Sequence, residues 1–162
     1  MQLSTRCYIA RLQESLRAAL AASPLSMSTQ ESPQDDAKYM GVWVDASHKI
    51  ASLGVHVRHR VTSHGFALNV HNAALQGFQN IVACGLPNVQ LTSIDQQLER
   101  AGRTLDVRMP DVARLCADHL ATALRRTTEP AAETALSYTP TTNDAGEQVL
   151  SKVLVEGTEV TA

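Results

Sequence analysis

"GVWVDASHKIASLGVHVRHRVTSHGFALNV", residues 41–70, is the stretch that decides the fold. Short runs of β-branched and apolar residues alternate with turn formers. GVWVD reads as a strand, Asp45 to His48 as a turn, and KIASLGVHVR as a longer strand carrying Ile50, Val55 and Val57. HRVT then reverses the chain into SHGFALNV. Strands in this succession predict an antiparallel meander within a β region over 40–91. Gly54 and Gly65 interrupt the strands, which marks either a bulge or a place where another group approaches the backbone. Trp43 is expected in the core. Lys49 opens the long strand beside a turn; by itself it reads as a solvated turn lysine, or as an ammonium aimed over the sheet.

Helices are predicted on both sides of this region. RCYIARLQESLRAALAA, residues 6–22, spaces Ile9, Leu12, Leu16 and Leu20 along one stripe. TSIDQQLERAG carries a capping box, Ser93 with Gln96 three residues on, and closes at Gly102, so a helix is expected over 93–101. MPDVARLCADHLATALRR places proline in its first turn and Val112, Leu115, His119 or Leu120, and Leu124 on a buried stripe, giving a helix over 110–126 with Cys116 in the core beside it. Between the first helix and the strands, SPLSMSTQESPQDDAK is rich in Ser, Pro, Gln and Asp, so residues 23–40 are expected to be a mobile polar insertion. Residues 127–162 are polar and proline-marked and read as a disordered C-terminal tail, in which VLSKVLVEG could add an edge strand. The 1–126 portion is thus one α/β (α+β) domain, long enough for a real core.

A net charge of -2 and a pI near 6.3, with scattered basic residues, argue against nucleic acid or an anionic membrane as partner. No apolar run approaches the roughly 20 residues that span a bilayer, and the N-terminus lacks the apolar core of a secretory signal, so a soluble intracellular protein is expected. Three widely spaced cysteines, Cys7, Cys84 and Cys116, do not suggest a disulfide framework. They contain no Cys-x-x-Cys pair for a zinc site, so no metal is expected. Cys84, in VACGLP at 82–87, lies between an apolar run and a proline turn and reads as core filler or as a nucleophile. An ordinary thiol is only about 3% ionised at pH 7, so a nucleophilic cysteine needs a cation beside it.

The run from Gly41 to Val70, followed by FQNIVACGLPNVQLTSI, resembles the lipoate-pathway octanoyltransferases, the LipB family, over roughly residues 5–22 and 41–120. Lysine, a Ser-Leu-Gly triplet, Thr-x-His-Gly-x-Ala-Leu-Asn and Cys-Gly occur in the family's order. The resemblance implies a biotin/lipoate ligase-like domain with a mixed or antiparallel sheet backed by helices. It makes Cys84 the acyl-accepting nucleophile and Lys49 its acid and base. Ser52, Leu53, Gly54 and Gly65, Phe66, Ala67 become the two substrate-binding segments, and His64 a supporting residue that packs or hydrogen-bonds in the sheet.

The implied reaction moves an octanoyl group from octanoyl-acyl carrier protein to a lysine of lipoyl domains, those of 2-oxoacid dehydrogenase complexes and of glycine cleavage H protein. No cofactor is expected, and no Gly-rich phosphate loop is present. Members carry upstream Arg-Gly-Gly and Tyr-His-Gly-Pro-Gly segments that this chain lacks, and Ala83 stands where proline often precedes the cysteine. Two expectations follow: a catalytic C-terminal part without the N-terminal half, or a non-catalytic remnant that binds a lipoyl domain or another protein. The location implied is mitochondrial in a eukaryote and cytoplasmic in a bacterium.

Overall fold

A computed structural model describes residues 4–32, 37–59, 61–80 and 89–128, and the backbone of 136–142, 148–155 and 158–160. The chain divides into two units, Met1–Thr128 and Glu129–Ala162.

In the first unit, α1 spans Thr5–Ala21; the Ser4 side chain caps it by accepting from the Cys7 N–H at 3.2 Å. Its predicted stripe is the buried one: Leu12, Leu16 and Leu20 are nearly or wholly inaccessible, and Ala19 joins them. Strand β1 (Gly41–Trp43) pairs antiparallel with β2 (His48–Arg58), and β2 pairs antiparallel with β3 (Val61–Leu68) over eight consecutive positions, Ala51↔Leu68 through Arg58↔Val61. The one-turn α2 (Ala73–Gln76) follows. Strand β4 (Gln90–Leu91) then lies parallel to the start of β2, with Lys49 opposite Leu91, which makes the sheet mixed. A strand of two residues carries no periodicity, and of the mixed or antiparallel sheet that the resemblance implies the mixed one forms.

The remaining helices form as expected. In α3 (Ile94–Arg100), the Ser93 hydroxyl accepts from the Gln96 N–H at 3.1 Å, and Gly102 closes the helix at φ +65°. The reciprocal arm of the capping box differs: the Gln96 side-chain Oε1 accepts from the Thr92 hydroxyl at 2.7 Å. Pro110 sits in the first turn of α4 (Met109–Leu124), whose Val112 and Cys116 are buried. Arg11 of α1 donates to the Ala123 carbonyl at 2.9 Å, tying the two long helices together. The core gathers Leu16 and Leu20 of α1, Val42, Ile50 and Ala51 of the sheet, and Ile94, Leu98, Val112 and Cys116 of α3 and α4.

Two segments carry more structure than their composition signals. The 23–40 insertion is anchored in its first half, because its polar composition hides two apolar residues: Leu25 and Met27 are buried in the core. Backbone bonds join Gln30 to Trp43 in both directions, and Arg103 donates to the Pro24 and Leu25 carbonyls. In the second unit, β5 (Leu136–Thr142), β6 (Gln148–Val155) and β7 (Thr158–Val160) form an antiparallel meander where composition predicted a disordered tail with one possible edge strand. Its Val, Thr and Tyr residues favour extended backbone despite the polar surroundings.

Candidate active site

Lys49 is the most unusual residue of the domain. At 2% exposure it is buried, not the solvated turn lysine that its neighbours suggest. A lysine buries its methylene stem readily, but its head must find compensation. Here the ammonium lies 5.5 Å from the centre of the Trp43 ring, whose π face attracts a cation. Trp43 is itself fully buried and fixed, its indole N–H donating to the Tyr39 carbonyl at 2.9 Å. Gly41 completes the slot. A Cβ there would collide with the Lys49 Cε and the Ala51 carbonyl and stand 3.2 Å from the Lys49 Nζ, so only glycine admits the lysine. The sequence reading missed Trp43 and Gly41 as parts of this site, since their proximity to Lys49 depends on the β1–β2 register and its bulge.

The two segments identified by resemblance are brought together. Ser52 is opposite Ala67, Leu53 opposite Phe66 and Gly54 opposite Gly65. Opposed residues of an antiparallel pair share a face, so the pleat sorts the six into two sets. Leu53 and Phe66 turn with Ala51 and Leu68 toward the core. Phe66 and Leu68 line a cleft of about 360 Å³ against α4, with Cys116 and Leu120 on its other wall; burial pushes the Cys116 thiol pKa up. Ser52, Gly54, Gly65 and Ala67 occupy the other face. No described atom comes within 4 Å of where a Cβ on Gly54 or Gly65 would stand, so this face is open, bare backbone. The bulge reading does not apply, because the β2–β3 ladder is continuous there.

Cys84 lies outside the described residues, as does the side chain of His64. The chain is described again from Val89, and β4 then runs beside the root of β2, with the Thr92 N–H donating to the Lys49 carbonyl at 3.0 Å. Asn69 donates from its side chain to the Thr92 carbonyl at 3.0 Å, holding the end of β3 to the segment after β4. A further group at this end was not anticipated. Asp45 accepts from the Ser47 and His48 backbone N–H groups at 2.8 Å each, and the His48 ring bridges Asp45 to the Gln90 side chain, with Nε2 3.1 Å from Oε1. Partial desolvation raises the Asp45 pKa, but hydrogen bonds from Ser47 and His48 outweigh it and hold the carboxyl well below the usual carboxylate range. Among the described residues no group of three His, Cys, Asp or Glu could hold a metal ion.

Comparison with known proteins matches residues 2–121 to the model of the lipoyl protein ligase A/B catalytic domain. An octanoyltransferase of Myxococcus xanthus is 46% identical over 69 residues, covering 40% of this chain and 19% of that protein. One of Clavibacter sepedonicus is 35% identical over 130 residues, 75% of this chain and 51% of the relative. A mitochondrial octanoyl-[acyl-carrier-protein]:protein N-octanoyltransferase of Danio rerio is 37% identical over 97 residues, 60% of this chain and 39% of its own. The chain thus spans about half or less of the length of these relatives. With the family model covering most of its residues, and an α/β domain of helices on a mixed sheet beneath that match, the chain belongs to the lipoyl protein ligase A/B catalytic-domain family.

Proposed function

We propose that the chain carries the acyl-transfer centre of an octanoyltransferase, with Cys84 as nucleophile and Lys49 as its acid and base. One observation carries the reading: an ammonium buried in a slot made by Trp43 and Gly41, at the root of the strand that holds Ser52, Leu53 and Gly54 against Gly65, Phe66 and Ala67. An active-site lysine needs a defined position and exclusion of water, and this slot supplies both.

In the first half-reaction the Cys84 thiolate adds to the carbonyl of octanoyl-acyl carrier protein. The carbon–sulfur bond to the pantetheine breaks, and Lys49 gives its proton to the departing thiolate. In the second, the amine of a lipoyl-domain lysine adds to the octanoyl thioester on Cys84. Cys84 leaves as thiolate, and the now neutral Lys49 takes the proton lost by the amine. The ledger closes with Lys49 again an ammonium and an amide on the acceptor, of a 2-oxoacid dehydrogenase complex or the glycine cleavage H protein. A thioester-to-amide transfer runs downhill without a nucleotide, so no cofactor enters. The Danio rerio relative's name carries both a carrier-protein donor and a mitochondrial address, which supports the donor assignment and a mitochondrial location in a eukaryote, with the cytoplasm as the bacterial equivalent.

The test is intact-mass measurement after mixing the purified chain with octanoyl-acyl carrier protein. The expected result is a gain of one octanoyl group, absent in Cys84→Ala and slowed in Lys49→Ala. No gain on the native chain would overturn the acyl-transfer reading.

A further inference from the structure

The walls of the Lys49 slot are held by residues that do not touch the lysine. Trp43 belongs to β1, a strand of three residues, and the polar segment upstream grips it: Gln30 and Trp43 exchange both backbone hydrogen bonds, at 2.7 and 3.3 Å. The Trp43 side chain is fastened through one oxygen. The Tyr39 carbonyl accepts from the indole N–H at 2.9 Å and from the Ser32 hydroxyl at 2.7 Å, so both of its lone pairs are used. Beside this anchor the Tyr39 and Trp43 rings pack with their centroids 5.9 Å apart. The Gly41 wall is tied as well, its carbonyl accepting from the Gln13 side chain of α1 at 2.9 Å.

The upstream segment is itself anchored, by the buried Leu25 and Met27 and by Arg103 on the Pro24 and Leu25 carbonyls. A continuous support therefore runs from the core through Gln30 and Ser32 to Trp43, and the Trp43 ring meets the Lys49 ammonium at 5.5 Å. Such a support matters for a lysine in particular. Its ammonium rides on a flexible stem, and a ring of fixed orientation draws the head to one place over its face. A reacting group misplaced by about 1 Å can lose about 10²-fold in rate, so whatever fixes the ring also sets the rate.

We propose that Gln30, Ser32 and the Tyr39 carbonyl form a brace that makes Trp43 the positioning residue of Lys49, coupling the segment before β1 to the acid–base step. This rests on the acyl-transfer reading, and the test on the full chain separates the two. Trp43 is the chain's only tryptophan, so its fluorescence emission reports the charge beside it. Lys49→Met should shift that emission. The same replacement made in Ser32→Ala should shift it less, because ring and ammonium are no longer held together; this double-mutant cycle needs no turnover. The second arm is single-turnover octanoylation of Cys84 by octanoyl-acyl carrier protein. Ser32→Ala and Trp43→Phe each remove one hydrogen bond from the Tyr39 carbonyl and should slow the maximal rate about fivefold, with the half-saturating donor concentration unchanged. Trp43→Leu, which removes the ring, should slow it about 10²-fold. Ser32→Thr keeps the hydroxyl and should restore the native rate, and Glu31→Gln, which breaks only the exposed pair with Arg17, should leave it unchanged. No emission shift, or equal shifts in the two backgrounds, would overturn the proposal. So would native rates in both Ser32→Ala and Trp43→Phe, or a loss in Ser32→Ala that Ser32→Thr shares, the mark of a folding defect. If Cys84 is never octanoylated, the catalytic reading fails, and the emission cycle still decides whether the brace holds Lys49.

Discussion

Taking an ammonium out of water costs several kcal/mol, so a lysine at 2% exposure is kept either by its partners or by its use. The two explanations separate by substitution. Methionine keeps the unbranched stem packed against Trp43 and removes the charge. Lys49→Met is therefore expected to keep a cooperative melt while acyl transfer to Cys84 slows by about 10²-fold or more, the usual weight of an acid–base group. A melting temperature that drops along with the activity would make Lys49 a structural residue. Asp45 gives the complementary case, a carboxyl whose folded pKa lies below its unfolded value near 3.9. Its hydrogen bonds to Ser47 and His48 stabilise the fold at pH values above the unfolded pKa, and that contribution is lost as pH falls toward the folded one. Asp45→Asn should thus melt below the native chain at pH 7, with the gap narrowing below about pH 4. Calorimetric scans at both pH values check the sign; a gap that widens in acid would contradict it.

At the level of elements, the β2–β3 ribbon was the most legible part of the chain, because its β-branched runs and turn residues agree with the ladder that forms, and its glycines mark the open face. The helices were legible for the same reason: the Leu12, Leu16, Leu20 stripe and the Ser93 cap are local signals that the packing obeys. What escaped depends on contacts distant in sequence. Leu25 and Met27 lie in a segment of polar composition and are buried by residues distant in sequence, and the Lys49 slot needs a bulge in β2, where Ile50 is the extra residue. The glycines put this to the test. Gly54 faces open space, so Gly54→Val adds a strand-favouring side chain and should leave the melting temperature unchanged or higher. If a substrate lies on that strip, the same change abolishes octanoylation. Gly41→Ala is the opposite: its methyl group meets the Ala51 carbonyl and the Lys49 Cε, so overpacking should cost about 1–3 kcal/mol in urea unfolding. Equal stability losses in the two variants would mean that the open face is not open.

At the scale of the molecule, the first unit ends at Thr128 and carries the buried core, the Lys49 slot and the paired segments. A three-stranded meander such as β5–β7 is near the lower limit of what holds together without an apolar face packed on something else. Cutting the chain after Thr128 should therefore leave the melting transition of the first unit where it was, a result that would support reading 1–126 as the catalytic part. A clear drop would assign the second unit a share in its stability. The first unit has a weakness of its own. Among the described residues no strand pairs with the outer edge of β3, Val61 is exposed at the start of that strand, and Met109 is exposed at the cleft between β3 and α4. An unpaired edge offers free N–H and C=O groups to any similar strand, and exposed apolar surface adds to the attraction. Both the full chain and the 1–128 piece are accordingly expected to associate as concentration rises. In sedimentation velocity their weight-average coefficient should climb through the micromolar range, and Val61→Lys, which places a charge on the edge, should return it toward the monomer value. A single sharp monomer boundary at every concentration, with a cooperative melt, would show that this edge is already protected.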